Sequence, residues 1–201
     1  MMGTTQTTPL VLVHGLWDTP QLFRRLETRL DGRRPDLWIP HLPHGLGYPP
    51  LEVLAQRLGD GIEERFGPDQ PIDLLGFSMG GVVARTWLQW MGGHGRTRRF
   101  WCVGSPQRGT LAAQLVPRVL LAGIADMKVG SRLLRRLNGD PSALERVACK
   151  SFFSSTDITV FPGWRATLPV GPRQAVPVWT HRQLIAHPRS LELLVEALLE
   201  P

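Results

Sequence analysis

Leu74-Leu75-Gly76-Phe77-Ser78-Met79-Gly80-Gly81 carries an apolar run into Gly-x-Ser-x-Gly, and Val82 to Met91 follows with apolar residues at helical intervals. Ile72-Asp73-Leu74-Leu75 reads as a short buried strand, so the order is strand, tight turn, helix. Such a turn, an elbow, lifts a serine hydroxyl above the edge of a sheet. It is strained, and glycines two before and two after the serine leave room for crowded backbones. Ser78 is therefore the candidate nucleophile; the alternative is a glycine-rich turn around an idle serine.

Three further stretches extend this reading. Near the amino end the continuous apolar run Leu10-Val11-Leu12-Val13, consistent with a strand buried on both faces, leads into His14-Gly15-Leu16-Trp17-Asp18-Thr19-Pro20. Phe100-Trp101-Cys102-Val103 is another apolar strand, followed by Gly104-Ser105-Pro106-Gln107-Arg108-Gly109-Thr110. A late aspartate and a late histidine each follow a strand-like run. With these pieces the chain resembles the lipases of the α/β-hydrolase family, in particular the small bacterial triacylglycerol lipases and esterases, and the matching segments span most of its length.

That resemblance implies a set of roles. The oxyanion donors are main-chain amides, Met79 after the nucleophile and Leu16 in the loop after the first strand, and an amide needs only the right aim, so both side chains are free to be apolar. Asp157, in Phe152-Phe153-Ser154-Ser155-Thr156-Asp157-Ile158-Thr159-Val160, matches the family's strand-end acid. Asp73, Asp126 and Asp140 compete formally, but Asp73 precedes the turn, Asp126 sits in an amphipathic stretch, and Asp140 in Asn-Gly-Asp-Pro reads as a turn or helix cap. His181, directly after Ala175-Val176-Pro177-Val178-Trp179-Thr180, matches the base; Thr180 and Arg182 flank it where relatives commonly carry glycine. His187 competes, but with Pro188 it opens the last helix. The order Ser78, Asp157, His181 is that of an α/β-hydrolase. Trp17 and Ser105 are candidate substrate contacts, with a plain loop role as the alternative for Ser105. His14 precedes the nucleophile and reads as a brace for its loop.

The fold expected is a minimal α/β-hydrolase, α/β with an about six-stranded, mostly parallel sheet and helices on both faces. Strands fall near 10–13, 37–39, 72–76, 99–103, 149–154 and 175–179, and helices near 20–31, 50–66, 80–91 and 188–199. The 201 residues make one domain, 1–201. Residues 111–138 interleave Leu115, Val119, Leu120, Ile124, Met127, Val129, Leu133, Leu134 and Leu137 with arginines and Lys128. They form either a small helical lid over the pocket or an ordinary crossover, since one amphipathic pattern serves both.

The 23 basic and 17 acidic residues give a net charge of +6. The basic groups are scattered and carry no aromatic stacking motif, so no nucleic-acid partner is expected, while transient contact with a membrane surface stays open. His41 and His44 lie in a Pro/Gly-dense loop without Cys or carboxylate partners, so no metal site is expected. Met1 to Thr8 lacks a secretory layout, which points to a cytoplasmic location, and Cys102 and Cys149 read as buried free thiols. The chemistry expected is cleavage of a small-molecule ester or lipid through an acyl-serine, with no cofactor. A thioesterase or an acyltransferase would use the same residues, and a non-catalytic binding protein would not need them.

Overall fold

The computed structural model describes residues 8–115 and 121–200. Six strands, β1 (Leu10–Val13), β2 (Leu37–Trp38), β3 (Ile72–Phe77), β4 (Thr97–Val103), β5 (Ala148–Phe153) and β6 (Arg173–Ala175), form one sheet in the order β2-β1-β3-β4-β5-β6, every pair parallel. The helices are α1 (Arg24–Leu30), α2 (Leu51–Phe66), α3 (Met79–Trp90), α4 (Ala122–Asp126), α5 (Arg132–Gly139), α6 (Gln183–Ala186) and α7 (Pro188–Leu199). This is the α/β-hydrolase fold that the sequence implies.

Side-chain alternation along the strands divides the core in two. Val11, Val13, Leu74, Phe100 and Cys102 face a cluster shared with α2, α3, α4 and α5, whereas Leu10, Leu12, Leu75, Phe77, Trp101 and Val103 face α1, α6 and α7. With both faces covered, β1 and β3 are buried at every residue, which is why β1 and, past Asp73, β3 read as continuous apolar runs. The helices lie as right-handed crossovers require. The chain runs from β1 outward to β2, then doubles back past β1 to β3, and this reversal puts α1 and α2 on opposite faces. Full burial of one leucine in such a layer stabilises by about 2 kcal/mol, and α7 alone contributes Leu191, Leu194 and Leu198.

Two expectations need correction. The last strand covers Arg173–Ala175 rather than 175–179. Pro177 has no N–H for the ladder, and the Val178 amide bonds back to Val176 O at 2.9 Å, so the chain leaves the sheet while Val176 and Val178 stay buried. The helix expected at 20–31 begins as a 3-10 turn, Pro20–Phe23, before α1.

In segment 111–138, α4 and α5 bury Ile124, Leu133, Leu134 and Leu137 against α2 and α3. Val119 and Leu120, named above, lie outside the described residues. The end of α5 is bolted down by the buried Arg85 of α3, which donates to Leu137 O at 2.8 Å and Asn138 Oδ1 at 3.0 Å. Burial lowers the Arg85 pKa to about 10, so it keeps its charge at neutral pH. Cys102 and Cys149 are buried free thiols, and burial raises them to about 11 and about 12. No helix among the described residues is long and apolar enough to cross a membrane.

Candidate active site

The reversal of strand order leaves a crevice outside the carboxyl ends of β1 and β3, the place where open parallel sheets bind ligands. Ser78 ends β3 there, and Gly15 to Asp18 leave β1 there. Ser78 has φ 52° and ψ −127°, a left-handed conformation that costs a side-chain-bearing residue of order 1–3 kcal/mol. Close packing holds it. A Cβ on Gly80 would fall 2.3 Å from Val13 O and 2.5 Å from His14 O, so only glycine lets the first turn of α3 sit against the end of β1. Met79 is the first residue of α3, so its amide has no partner within the helix.

Trp17 is the second strained residue, with φ 61°, in a turn closed by Asp18 N–H to Gly15 O at 3.4 Å. This turn carries Leu16 to the edge of the cavity, and its brace is His14. The buried imidazole accepts from Leu42 N at 3.2 Å through Nε2, and its Nδ1 lies 3.0 Å from Gly15 O. Burial lowers the His14 pKa, which keeps the ring neutral and able to accept. His44 likewise engages Gly45 O and Asp18 O, and His41 stacks on His14 at 5.9 Å. Among the described residues no three histidine, cysteine or carboxylate side chains come together in a group that could hold a metal ion.

Asp157 and His181 come from the loops after β5 and β6 and meet: His181 Nδ1 lies 2.6 Å from Asp157 Oδ2. The other carboxylate oxygen accepts from the amides of Thr159 at 2.8 Å and Val160 at 3.2 Å. Asp157 is buried, and the His181 ring packs against Phe77 with centroids 4.9 Å apart. With Nδ1 on the carboxylate, Nε2 is left on the other side of the ring, where it is buried and makes no hydrogen bond to Ser78 or any other group. Catalytic hydrogen bonds of this kind are often long before substrate binds.

Ser78 and His181 line one cavity of about 350 Å³. Leu16, Trp17, Phe77, Pro106, Met127 and Val160 give it apolar walls, and Asp18, Thr110, Thr159 and Arg182 give it polar ones. The other acidic and histidine candidates lie elsewhere. Asp73 is buried against Arg34 at 2.8 Å near the opposite ends of the strands, Asp126 Oδ2 accepts from Leu51 N at the start of α2, Asp140 accepts from Ser142 N in a turn, and His187 accepts from Arg189 N at the start of α7.

Ser105, a candidate substrate contact, lies outside the cavity lining. It is fully buried; its hydroxyl accepts from Gln107 Nε2 at 3.0 Å and sits 2.5 Å from where a Cβ on Gly81 would be. Its place is beneath the elbow, where parallel pairing of β3 and β4 carries it. Sequence reasoning passed over Asp18, Thr110 and Arg182. A Cβ on Gly15 would lie 3.0 Å from both Ser78 Cβ and an Asp18 carboxylate oxygen, so a second carboxylate stands close to the serine. Burial raises the Asp18 pKa, and Arg182, 3.5 Å away, pulls it back down. Asp18 directly follows Trp17 in the motif quoted above, which was the available signal.

Residues 10–199 match the alpha/beta hydrolase family, and the chain belongs to it. Three solved structures share the fold. Lipase B of Aspergillus fumigatus is 19% identical with a TM-score of 0.78, covering 98% of this chain and 54% of its own, so the chain spans about half of that protein. The mature lipase BlEst2 of Bacillus licheniformis is 14% identical with a TM-score of 0.72, covering 97% of this chain and 93% of its own. RedJ, a thioesterase of the prodiginine biosynthetic pathway in Streptomyces coelicolor, is 22% identical with a TM-score of 0.64, covering 96% and 89%. No curated protein matches the sequence.

Proposed function

We propose that the protein is a serine hydrolase that cleaves carboxylic esters through an acyl-serine. The observation that supports this best is the Asp157–His181 hydrogen bond at the wall of the cavity that Ser78 lines. With Nδ1–H donated to Asp157, His181 Nε2 is the basic nitrogen. It takes the Ser78 proton as Oγ attacks the ester carbonyl, the amides of Leu16 and Met79 receive the oxyanion, and the imidazolium returns the proton to the departing alcohol. Water then repeats the sequence on the acyl-serine and releases the acid. Asp157 keeps the tautomer and offsets the positive charge on the ring.

The substrate we infer is a small-molecule ester or lipid whose acyl chain lies against Leu16, Phe77, Met127 and Val160. Trp17, on the same wall, is the substrate contact retained. Among the described residues of segment 111–138, Met127 is the one that lines this cavity, and Leu111 and Leu115, at the segment's exposed start, are the ones we assign to a lid. Around the mouth Trp17, Leu111, Ile158, Phe161 and Trp179 are exposed on the cavity-lining loops, which favours contact with a lipid surface during turnover. Likeness to a thioesterase favours a second reading, the same acyl-serine formed from a thioester. Ser78→Ala is expected to abolish hydrolysis of a short p-nitrophenyl ester and labelling by a fluorophosphonate; retention of most of the activity would remove the proposal. Running matched acyl esters and thioesters on the wild type separates the two readings.

A further inference from the structure

Thr110 stands on the loop after β4, far in sequence from Asp157, yet its hydroxyl is the hub of the acid's loop. It donates to Thr159 O at 2.7 Å and accepts from Phe161 N and Ala112 N, each at 3.2 Å. Thr159 C=O and Val160 N–H belong to one peptide group, and that N–H donates to Asp157 Oδ1 at 3.2 Å. A hydrogen bond at the carbonyl end of a peptide polarises it and strengthens the N–H at the other end. The chain of contacts therefore runs from the Thr110 hydroxyl through peptide 159–160 to Asp157, and from the other carboxylate oxygen to His181.

Two further contacts fix the hub itself. Thr110 N–H donates to Met127 O at 2.9 Å, and Thr110 pairs with Lys128 in an isolated parallel bridge. The residue is buried and also lines the cavity beside Ser78, so its position answers to the segment that supplies Met127 to the acyl wall.

We propose that Thr110 is a positioning residue for the Asp157–His181 pair: its hydroxyl orients and polarises the peptide that holds the carboxylate, which fixes how that carboxylate presents itself to the imidazole. This rests on the serine-hydrolase reading above. It also places control of the acid at the base of segment 111–138, so that Thr110, through its hydroxyl and its backbone N–H, joins that segment to the loop that carries Asp157.

The test compares Thr110→Val, which keeps the shape and removes the hydroxyl, with Thr110→Ser, which restores it. Wild-type labelling of Ser78 by a fluorophosphonate comes first; without it the hydrolase reading itself fails. Given labelling, Thr110→Val is expected to lower kcat about tenfold with KM within about twofold, because small misplacements of a catalytic group cost that much or more. The downfield proton resonance of His181 Nδ1–H should shift or broaden in the valine variant and return in the serine variant. Thr110→Cys, whose thiol is a weak donor of similar shape, takes the place of valine if that variant does not fold. Wild-type kcat and an unchanged resonance in a folded variant lacking the hydroxyl would overturn the proposal.

Discussion

At the scale of single residues, the site concentrates backbone strain. Among the described residues three other than glycine have positive φ, and two of them, Trp17 and Ser78, border the cavity, while the third, Asp31, merely ends α1. The strain at Ser78 has a measurable consequence. Its φ of 52° with ψ of −127° lies where glycine is at ease and any Cβ is crowded. Ser78→Gly should therefore melt above Ser78→Ala by the equivalent of about 1 kcal/mol, since both delete the hydroxyl and only one relieves the backbone. Thermal melts of the two variants, both lacking the hydroxyl, read this directly. Equal melting temperatures would mean that the elbow is unstrained and that its geometry is not held against a cost.

At the scale of elements, Arg85 decides whether α3, the loop after β4 and the end of α5 move as one piece. Its guanidinium reaches Leu137 O, Asn138 Oδ1, Gln107 O and Gln107 Oε1, all buried or half-buried, and among the described residues it has no carboxylate partner. Arg85→Met would leave Asn138 Oδ1, Gln107 Oε1 and Gln89 Oε1 without this donor at about 1–3 kcal/mol each, so a loss of at least about 3 kcal/mol in a denaturant titration is expected. Arg85→Lys should recover only part of that, because an ammonium cannot span the fork. Elements differed in how readily the sequence disclosed them. β1 was legible because burial on both faces leaves an unbroken apolar run, β3 and β4 because their buried stretches Leu74–Phe77 and Phe100–Val103 do the same, and the elbow because its glycines answer to local crowding. β6 was misplaced because Val176 and Val178 are buried in a loop, where burial and strand pairing part company at Pro177. Thr110 and the amides on Asp157 were not legible, since their roles arise only when the loops after β4 and β5 meet. Ser105 could be read as a substrate contact because nothing local reveals that Gly81 packs against its side chain.

At the scale of the whole molecule, parallel strands send every connecting loop that follows a strand to one edge, and there the apolar side chains break the surface. Trp17 is 68% exposed, Ile158 80% and Trp179 76%, on the loops after β1, β5 and β6 respectively, and all three loops border the cavity. Tryptophan at the boundary of water and acyl chain is well placed to anchor there, and the net charge of +6 adds attraction to an anionic surface. None of the three side chains takes part in the proton transfers assigned to Ser78 and His181. Trp179→Ser and Ile158→Ser together should therefore leave kcat on a dissolved short-chain ester within about twofold while lowering the rate on a dispersed long-chain ester about tenfold or more, because removing two such anchors forfeits at least about 1.4 kcal/mol of apolar contact. Co-sedimentation with vesicles of phosphatidylglycerol, set against phosphatidylcholine, measures the same surface without catalysis. If the double variant binds vesicles as the wild type does, and both substrates are hydrolysed at wild-type rates, the exposed rim has no part in meeting lipid.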